Sequence, residues 1–341
     1  MKVLIISTTV YPLPTQGYSG LETLCAQLAI GLAAKGHQVA IACPEGSTFP
    51  EEIEIIFTGL REDEERAYQR FKGRLEAGEW EVVVDASWGR WATMSNVGRE
   101  PAIPVVNWHH SDPSVYATPA PVRFNLWVGL SKNHAERLTK HFGMQVRYCY
   151  NGIPTDFYQA SGQPRTGRYL WLARWLPEKA PAEIISLAQK LKVPVDMWGD
   201  TEIIGDPRYK DYCFRMADGL YARVGPGISR EATVEAYSTH KALLQMYGWN
   251  EPFGLSLIEA MSCGCPPIVQ RRGAAPELIR NGVTGFLVND ISEMEELIKR
   301  DAVKEIKPET MRKHVLKHFT IQKFVDRWEY LLEQVVGGER W

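Results

Sequence analysis

Short runs of apolar, often β-branched residues recur along this 341-residue chain, and the stretches between them carry helical spacing. The first run covers residues 2–8, followed by a Pro-, Gly- and Thr-bearing loop from Thr9 to Ser19. Leu21, Leu24, Leu28 and Leu32 then fall on one helical face. Lys35-Gly36-His37 stops that helix, and Gln38-Val39-Ala40-Ile41-Ala42 is the next strand. Further strands are predicted at Val82–Asp85, Pro104–Trp108, Leu126–Gly129 and Val146–Tyr150. A strand apolar along its whole length has both faces covered, so alternation with helices predicts a parallel sheet in an α/β domain.

A polar, Gly- and Pro-bearing segment, Gln159 to Gly167, interrupts the pattern and reads as an interdomain linker. A second series follows, with strands at Tyr169–Ala173, Val195–Trp198, Ala242–Met246, Pro267–Val269 and Gly285–Val288. Helical stretches such as Ala182–Leu191, Arg230–Ser238 and Leu255–Ser262 separate them. The expected organisation is an N-terminal domain over residues 1–160, a C-terminal domain over 161–320 and a final helix within 321–341. Phe324, Trp328, Leu331, Leu332 and Val335 give that helix one apolar face. The acidic stretch Glu51 to Glu65 reads as solvated surface.

Thirty-nine basic residues against 41 acidic ones give a formal net charge of −2, spread along the chain, which argues against a nucleic-acid partner or an anionic membrane surface. The apolar run at the N-terminus is too short for a signal peptide, and no stretch reaches a membrane-spanning length. The six cysteines are scattered, with only Cys263 and Cys265 close together, and read as reduced core residues of a cytoplasmic protein. A nicotinamide-dependent oxidoreductase would need Gly-x-Gly-x-x-Gly after the first strand. Gly17 and Gly20 do not fit that turn, and Gly225-Pro226-Gly227 lacks the third glycine.

The most informative segment runs from Trp249 through Glu251-Pro252-Phe253-Gly254-Leu255-Ser256 to Glu259 and Gly264. A buried strand ends near Met246, an irregular loop follows, and a helix opens at about Gly254. That order puts free backbone N–H groups and the positive helix end at the C-terminal edge of a parallel sheet, where a phosphate fits. Glu251 before the helix and Glu259 in its second turn can flank one ligand. A glutamate pair on an exposed helix start is the other reading of the same residues.

Two glutamates separated by seven residues resemble the signature of the group 1 (family-four) retaining glycosyltransferases of GT-B fold. The likeness extends through Ser19-Gly20-Leu21-Glu22, Lys35-Gly36-His37-Gln38-Val39, Pro104-Val105-Val106-Asn107-Trp108-His109-His110 and Asn151-Gly152-Ile153-Pro154. It continues in Ala173-Arg174-Trp175-Leu176-Pro177-Glu178-Lys179, Trp198-Gly199-Asp200 and Gly273-Ala274-Ala275-Pro276-Glu277. The resemblance implies two Rossmann-like domains facing a central cleft, with the C-terminal helix crossing back to the N-terminal domain. It implies transfer of a sugar from a nucleotide diphosphate donor to an acceptor hydroxyl with retention of configuration.

The same resemblance assigns roles. Arg174 and Lys179 clamp the donor's phosphates, as a guanidinium and an ammonium beside a helix N-terminus suit a leaving diphosphate. Gly254, Leu255 and Ser256 offer backbone N–H groups, Glu251 holds the transferred sugar, Glu259 the ribose, and Val224-Gly225 belongs to the segment cradling the base. From the first domain, Gly20 lies close to the diphosphate and His110 faces the donor sugar. His109 is the alternative to His110, offset by one. Tyr18, Trp108 and His109 are acceptor-side candidates; Tyr18, Trp108, Trp88 and Trp91 either stack on an acceptor or belong to the core, as aromatics more often do.

Departures from the family pattern fall at Ser19, Ala173 and Ala274, each where glycine is usual, and at Tyr247-Gly248, where Pro-Ser is usual. No Asp-x-Asp pair occurs, so neither metal nor cofactor is expected beyond the nucleotide sugar as co-substrate. The acceptor, whether a small molecule, a glycan or a lipid-linked sugar, is not specified by any motif. A non-catalytic sugar-nucleotide-binding protein and a nucleotide-sugar epimerase are the rival readings. Retention of Glu251, Arg174 and Lys179 together argues against the first, because a pure binder need not stabilise a leaving diphosphate.

Overall fold

In the computed structural model, which describes residues 1–15, 19–95, 102–113, 126–200 and 205–341, the first apolar run forms β1 (Lys2–Ile6), buried from Val3 onward. It is followed by α1 (Gly20–Ala34), β2 (Gln38–Cys43), β3 (Ile53–Phe57), α2 (Glu64–Gln69), α3 (Lys72–Glu76) and β4 (Val82–Asp85). Then come α4 (Trp91–Met94), β5 (Val105–Trp108), β6 (Leu126–Gly129), α5 (Lys132–Phe142) and β7 (Arg147–Tyr148). The strands make one parallel sheet in the order β3-β2-β1-β4-β5-β6-β7, so the order reverses between β1 and β4. In such sheets the C-terminal ends of the strands flanking the reversal form the ligand edge.

The acidic stretch Glu51–Glu65 is more than surface. It contains β3, whose Ile53 and Ile56 are buried beside exposed Phe57, and the start of α2, where Glu64 accepts hydrogen bonds from the amides of Trp88 (3.2 Å) and Gly89. Glu64 thereby loses water, and burial raises its carboxyl above the ordinary range.

The second series forms β8 (Tyr169–Leu172), a 3₁₀ turn at Pro177–Lys179, α6 (Pro181–Leu191), β9 (Val195–Trp198), α7 (Pro207–Met216) and β10 (Ala222–Gly225). It continues with α8 (Arg230–Thr239), β11 (Leu243–Gln245), α9 (Leu255–Ser262), β12 (Pro267–Gln270), α10 (Ala275–Leu278), β13 (Phe286–Val288), α11 (Ile291–Lys299) and α12 (Pro308–His318). The sheet order is β10-β9-β8-β11-β12-β13, all parallel, with the reversal between β8 and β11.

Two units divide the chain: Met1–Gly152 together with Ile321–Trp341, and Ile153–Thr320. Helix α13 (Ile321–Val336) therefore belongs to the first unit. Its Phe324 and Trp328 pack on Trp108 of β5, with ring centroids 5.6 and 5.0 Å away, and Val325 seats against Gly31 of α1. Lys35 pairs with Asp326 (2.8 Å) and Glu329 (2.6 Å) at the rim. The segment Gln159–Gly167, expected as a linker, is instead tied into the second unit. Arg165 donates to the carbonyls of Tyr237 (3.2 Å), His240 (2.5 Å) and Cys263 (3.1 Å), and the Ser161 amide donates to Ser238 Oγ (3.1 Å). Polar composition marked a strap whose Arg165 guanidinium satisfies three carbonyls. The crossings lie at Gly152–Ile153 and Thr320–Ile321, where Ile153 and Thr320 form a parallel bridge.

Candidate functional site

β8 and β11 are neighbours on opposite sides of the strand-order reversal, so the loops that leave them emerge together at the sheet's C-terminal edge. The loop after β8 is anchored by Trp175, fully buried against Trp171 at 4.8 Å, whose Nε1 donates to the Gly199 carbonyl at 2.9 Å. It ends in the 3₁₀ turn that carries Lys179. The loop after β11 is fastened to that turn by the Gly248 amide, which donates to the Glu178 carbonyl at 2.9 Å. Their side chains meet: Lys179 Nζ forms an ion pair with Glu251 Oε2, and both residues are largely shielded from water. Trp249 Nε1 donates to the same oxygen at 3.0 Å, and the Lys179 ammonium lies 4.9 Å from the Trp249 ring centroid.

Glu251 is braced from behind. Its carbonyl accepts the Ala274 amide at 2.9 Å, and a side chain on Gly273 (φ +60°) would fall 2.5 Å from the Glu251 amide nitrogen. Only glycine fits there, in space and in backbone conformation. Gly254, with φ +95°, is the N-cap of α9 and supplies no side-chain cap, so the Leu255 and Ser256 amides open the helix uncapped beside Glu251. Ser256 Oγ accepts from Gln245 Nε2 at 2.9 Å, which fixes the first turn to the end of β11. Arg174 is half-buried, and its guanidinium has no ion-pair partner among the described residues. A carboxylate paired with an ammonium, an uncapped helix start and an unpaired guanidinium can together receive an anionic ligand bearing hydroxyls.

Glu259 lies elsewhere on α9. It is 3% exposed, its Oε2 accepts from the Tyr237 hydroxyl at 3.2 Å, and Tyr158 is its second hydroxyl partner. Burial pushes its carboxyl up to about 7, against the pull of the two hydroxyls and of Arg230. The two glutamates of the motif thus share no partner. Val224 and Gly225 sit in the edge strand β10 rather than in a loop, with Gly225 against the Trp198 ring.

In the first unit, Gly20 is the first residue of α1. That helix start is held by Glu22, whose buried carboxylate accepts from Thr8 Oγ1 at 2.5 Å and from Ser19 Oγ. These are contacts between side chains, and Ser19, the N-cap of α1, makes no side-chain bond to the helix backbone. Tyr18 lies outside the described residues. His110 follows β5 with its ring 4.7 Å from Trp108, and its Nε2 has no hydrogen-bond partner among the described residues. Burial and nearby His134 push its imidazole down to about 3, so it is neutral near pH 7.

Two acceptor-side expectations are corrected. His109 is 2% exposed, takes a hydrogen bond from Arg90 Nη1 on Nδ1 (3.1 Å), and packs on Trp127 and Phe142. Trp108 is 1% exposed under α13. Both belong to the core, because adjacent strand residues project to opposite faces and both faces are covered. Trp88 is 48% exposed, whereas Trp91 packs on the core. All six cysteines are free and buried.

Two doubly wound parallel α/β units of this kind, with ligand-edge loops rich in glycine and proline, define the GT-B class of fold. AviGT4, a glycosyltransferase involved in avilamycin A biosynthesis, superposes with TM-score 0.76 at 18% identity, over 100% of this chain and 99% of its own. HepE of Anabaena, solved in complex with UDP-glucose, does so with TM-score 0.74 at 14% identity, over 98% and 100%. The family model for glycosyl transferases group 1 matches residues 161–314, and that for glycosyltransferase family 4 matches residues 18–157. The chain belongs to the group 1 glycosyltransferases. D-inositol 3-phosphate glycosyltransferase of Mycobacterium sp. (strain KMS) is 33% identical over 162 residues, 46% of this chain. That match spans 36% of the relative's own length.

Proposed function

We propose that this protein transfers a glycosyl unit from a nucleoside-diphosphate sugar to an acceptor hydroxyl, with retention of configuration, in the cytoplasm and without a metal ion. The observation that carries the reading is the meeting of Lys179 and Glu251 at the uncapped start of α9. Arg174, Lys179 and the Leu255 and Ser256 amides stabilise the charge that grows on the diphosphate as the glycosidic bond breaks. Glu251 holds hydroxyls of the transferred sugar, and Glu259 orders the ribose. The departing phosphate oxygen takes the acceptor's proton while the acceptor oxygen attacks the same face. Positioning and charge stabilisation then supply the rate. The complex of HepE with UDP-glucose supports a nucleotide sugar as the donor class. The roles of Gly20 and His110 rest on the family resemblance and are tested by their own substitutions. Among the described residues, no helix is long and apolar enough to cross a membrane.

A thermal-shift screen of nucleotide sugars tests the donor, since a ligand at 100 times its dissociation constant stabilises by about 2.7 kcal/mol. Proton NMR of the product of the stabilising donor with a mixed acceptor pool reads the anomeric configuration. Inversion, or no stabilisation by any nucleotide sugar, would remove the proposal.

A further inference from the structure

Glu251 has two carboxylate oxygens, and the protein uses one. Oε2 accepts from Lys179 Nζ and from Trp249 Nε1, whereas Oε1 has no hydrogen bond among the described residues. A single buried indole touches both charged groups: its N–H donates to the carboxylate, and its face lies 4.9 Å from the ammonium. Tyr247 completes the wall, with its ring centroid 5.9 Å from Lys179 Nζ and its hydroxyl 2.5 Å from Gln245 Oε1.

Resting on the donor reading above, we propose that Trp249 is a positioning residue for donor recognition, turning Glu251 so that Oε1 is left for a hydroxyl of the transferred sugar. An ammonium alone does not fix a carboxylate's rotation, because its three donors follow the oxygen around. A directional N–H in a rigid ring does fix it. Loss of the indole N–H therefore damages recognition of the sugar while leaving the cation available to the phosphates.

Trp249→Phe keeps the aromatic face and removes the donor, and Trp249→Ala removes both. Calorimetric titration uses UDP and UDP-glucose as probes on the whole chain. W249F is expected to bind UDP within about twofold of the wild type and UDP-glucose at least about fivefold more weakly, with KM for UDP-glucose raised in proportion. W249A is expected to weaken both. Equal losses for the two probes in W249F, or none, would overturn the proposal. The unmodified protein gives an independent reading: the Trp249 indole N–H resonance, assigned by its absence in W249F, is expected to shift with UDP-glucose and far less with UDP. Equal shifts count against the positioning role. If the wild type binds neither probe, the nucleotide sugar that stabilises it in the thermal-shift screen and the matching nucleoside diphosphate replace them; no binder in that screen removes the donor reading itself, and this inference with it.

Discussion

The carbonyl of Ala173 occupies the place where a side chain on Gly199 would stand, so the loop that presents Arg174 is packed onto bare backbone at the end of β9. Two further bonds seal the contact: the Trp175 amide to the Asp200 carbonyl at 3.1 Å, and Trp175 Nε1 to the Gly199 carbonyl at 2.9 Å. A methyl at position 199 meets backbone that has nowhere to go. Gly199→Ala is expected to lower stability by about 2–3 kcal/mol and to weaken donor binding through displacement of Arg174. Chemical denaturation and donor titration measure the two effects, and a variant as stable as the wild type would contradict the packing described.

Arg174 and Lys179 are expected to differ in what their loss does to the folded protein. Replacing either with Ala lowers kcat at least about tenfold, equivalent to about 1.4 kcal/mol of transition-state stabilisation. Arg174→Ala leaves the melting temperature unchanged, since its guanidinium has no ion-pair partner among the described residues. Lys179→Ala lowers it, because Glu251 keeps its shielded charge and loses its cation. Steady-state kinetics with thermal melts separate the two, and unchanged turnover in both variants would exclude them from the site.

Glu259 gives the protein a pH signature. Its folded carboxyl sits near 7 against an ordinary 4.5, so the folded state binds the proton more tightly than the unfolded one. Stability contributed by this group is therefore present below about pH 4.5 and falls as pH rises towards 7. Glu259→Gln retains an acceptor for the Tyr237 hydroxyl and carries no charge. The variant is expected to flatten the stability profile between pH 5 and pH 7.5 while weakening nucleotide binding. Urea midpoints across that range decide the matter, and parallel slopes in both proteins would rule out a raised carboxyl.

Much of this fold was legible because burial on both faces leaves an unbroken apolar run, as at Val82, Val83 and Val84. Two of the four edge strands, β3 and β10, were not legible. β3 carries exposed Glu54 and Phe57, and β10 carries exposed Arg223, so each reads as polar surface or loop. The motif spacing located Glu251 and the start of α9, because a loop entering a helix is a local event. Trp108 and His109 were misread for the opposite reason. What covers Trp108 is Phe324 and Trp328 from the far end of the chain, and no local pattern near residue 108 records that helix. Trp249 opened the segment that holds Glu251 without an assigned role, because its contact with Lys179 is made across to another loop.

Gly31 and Val325 form a testable pair. A side chain at Gly31 would meet both methyl carbons of Val325, one of them at 3.0 Å. Gly31→Ala is expected to destabilise the protein by about 1–3 kcal/mol. Combining it with Val325→Ala is expected to recover at least about 1 kcal/mol relative to additivity. A double-mutant cycle by urea denaturation reads the coupling, and strict additivity would show that the contact carries none.

Metal independence is also open to direct measurement. With cationic side chains and helix amides assigned to the diphosphate, transfer is expected to continue at an unchanged rate in excess chelator. Activity abolished by chelator and restored by magnesium or manganese would overturn the assignment of the diphosphate charge to Arg174, Lys179 and the α9 amides without a metal.

The return of α13 to the first unit sets an order of events during synthesis. Trp108 is covered by Phe324 and Trp328, which leave the ribosome only after every residue of Ile153–Thr320 has been made. The sheet that starts first therefore finishes last, while the second unit, continuous in sequence, has all its strands in hand earlier. Until α13 emerges, the nascent first unit exposes the indole of Trp108 and the Gly31 groove of α1 to the chaperones that patrol the exit tunnel. A chain ending at Thr320 and held on the ribosome by a linker that fills the exit tunnel would display a finished second unit and an unroofed first one, distinguishable by limited proteolysis.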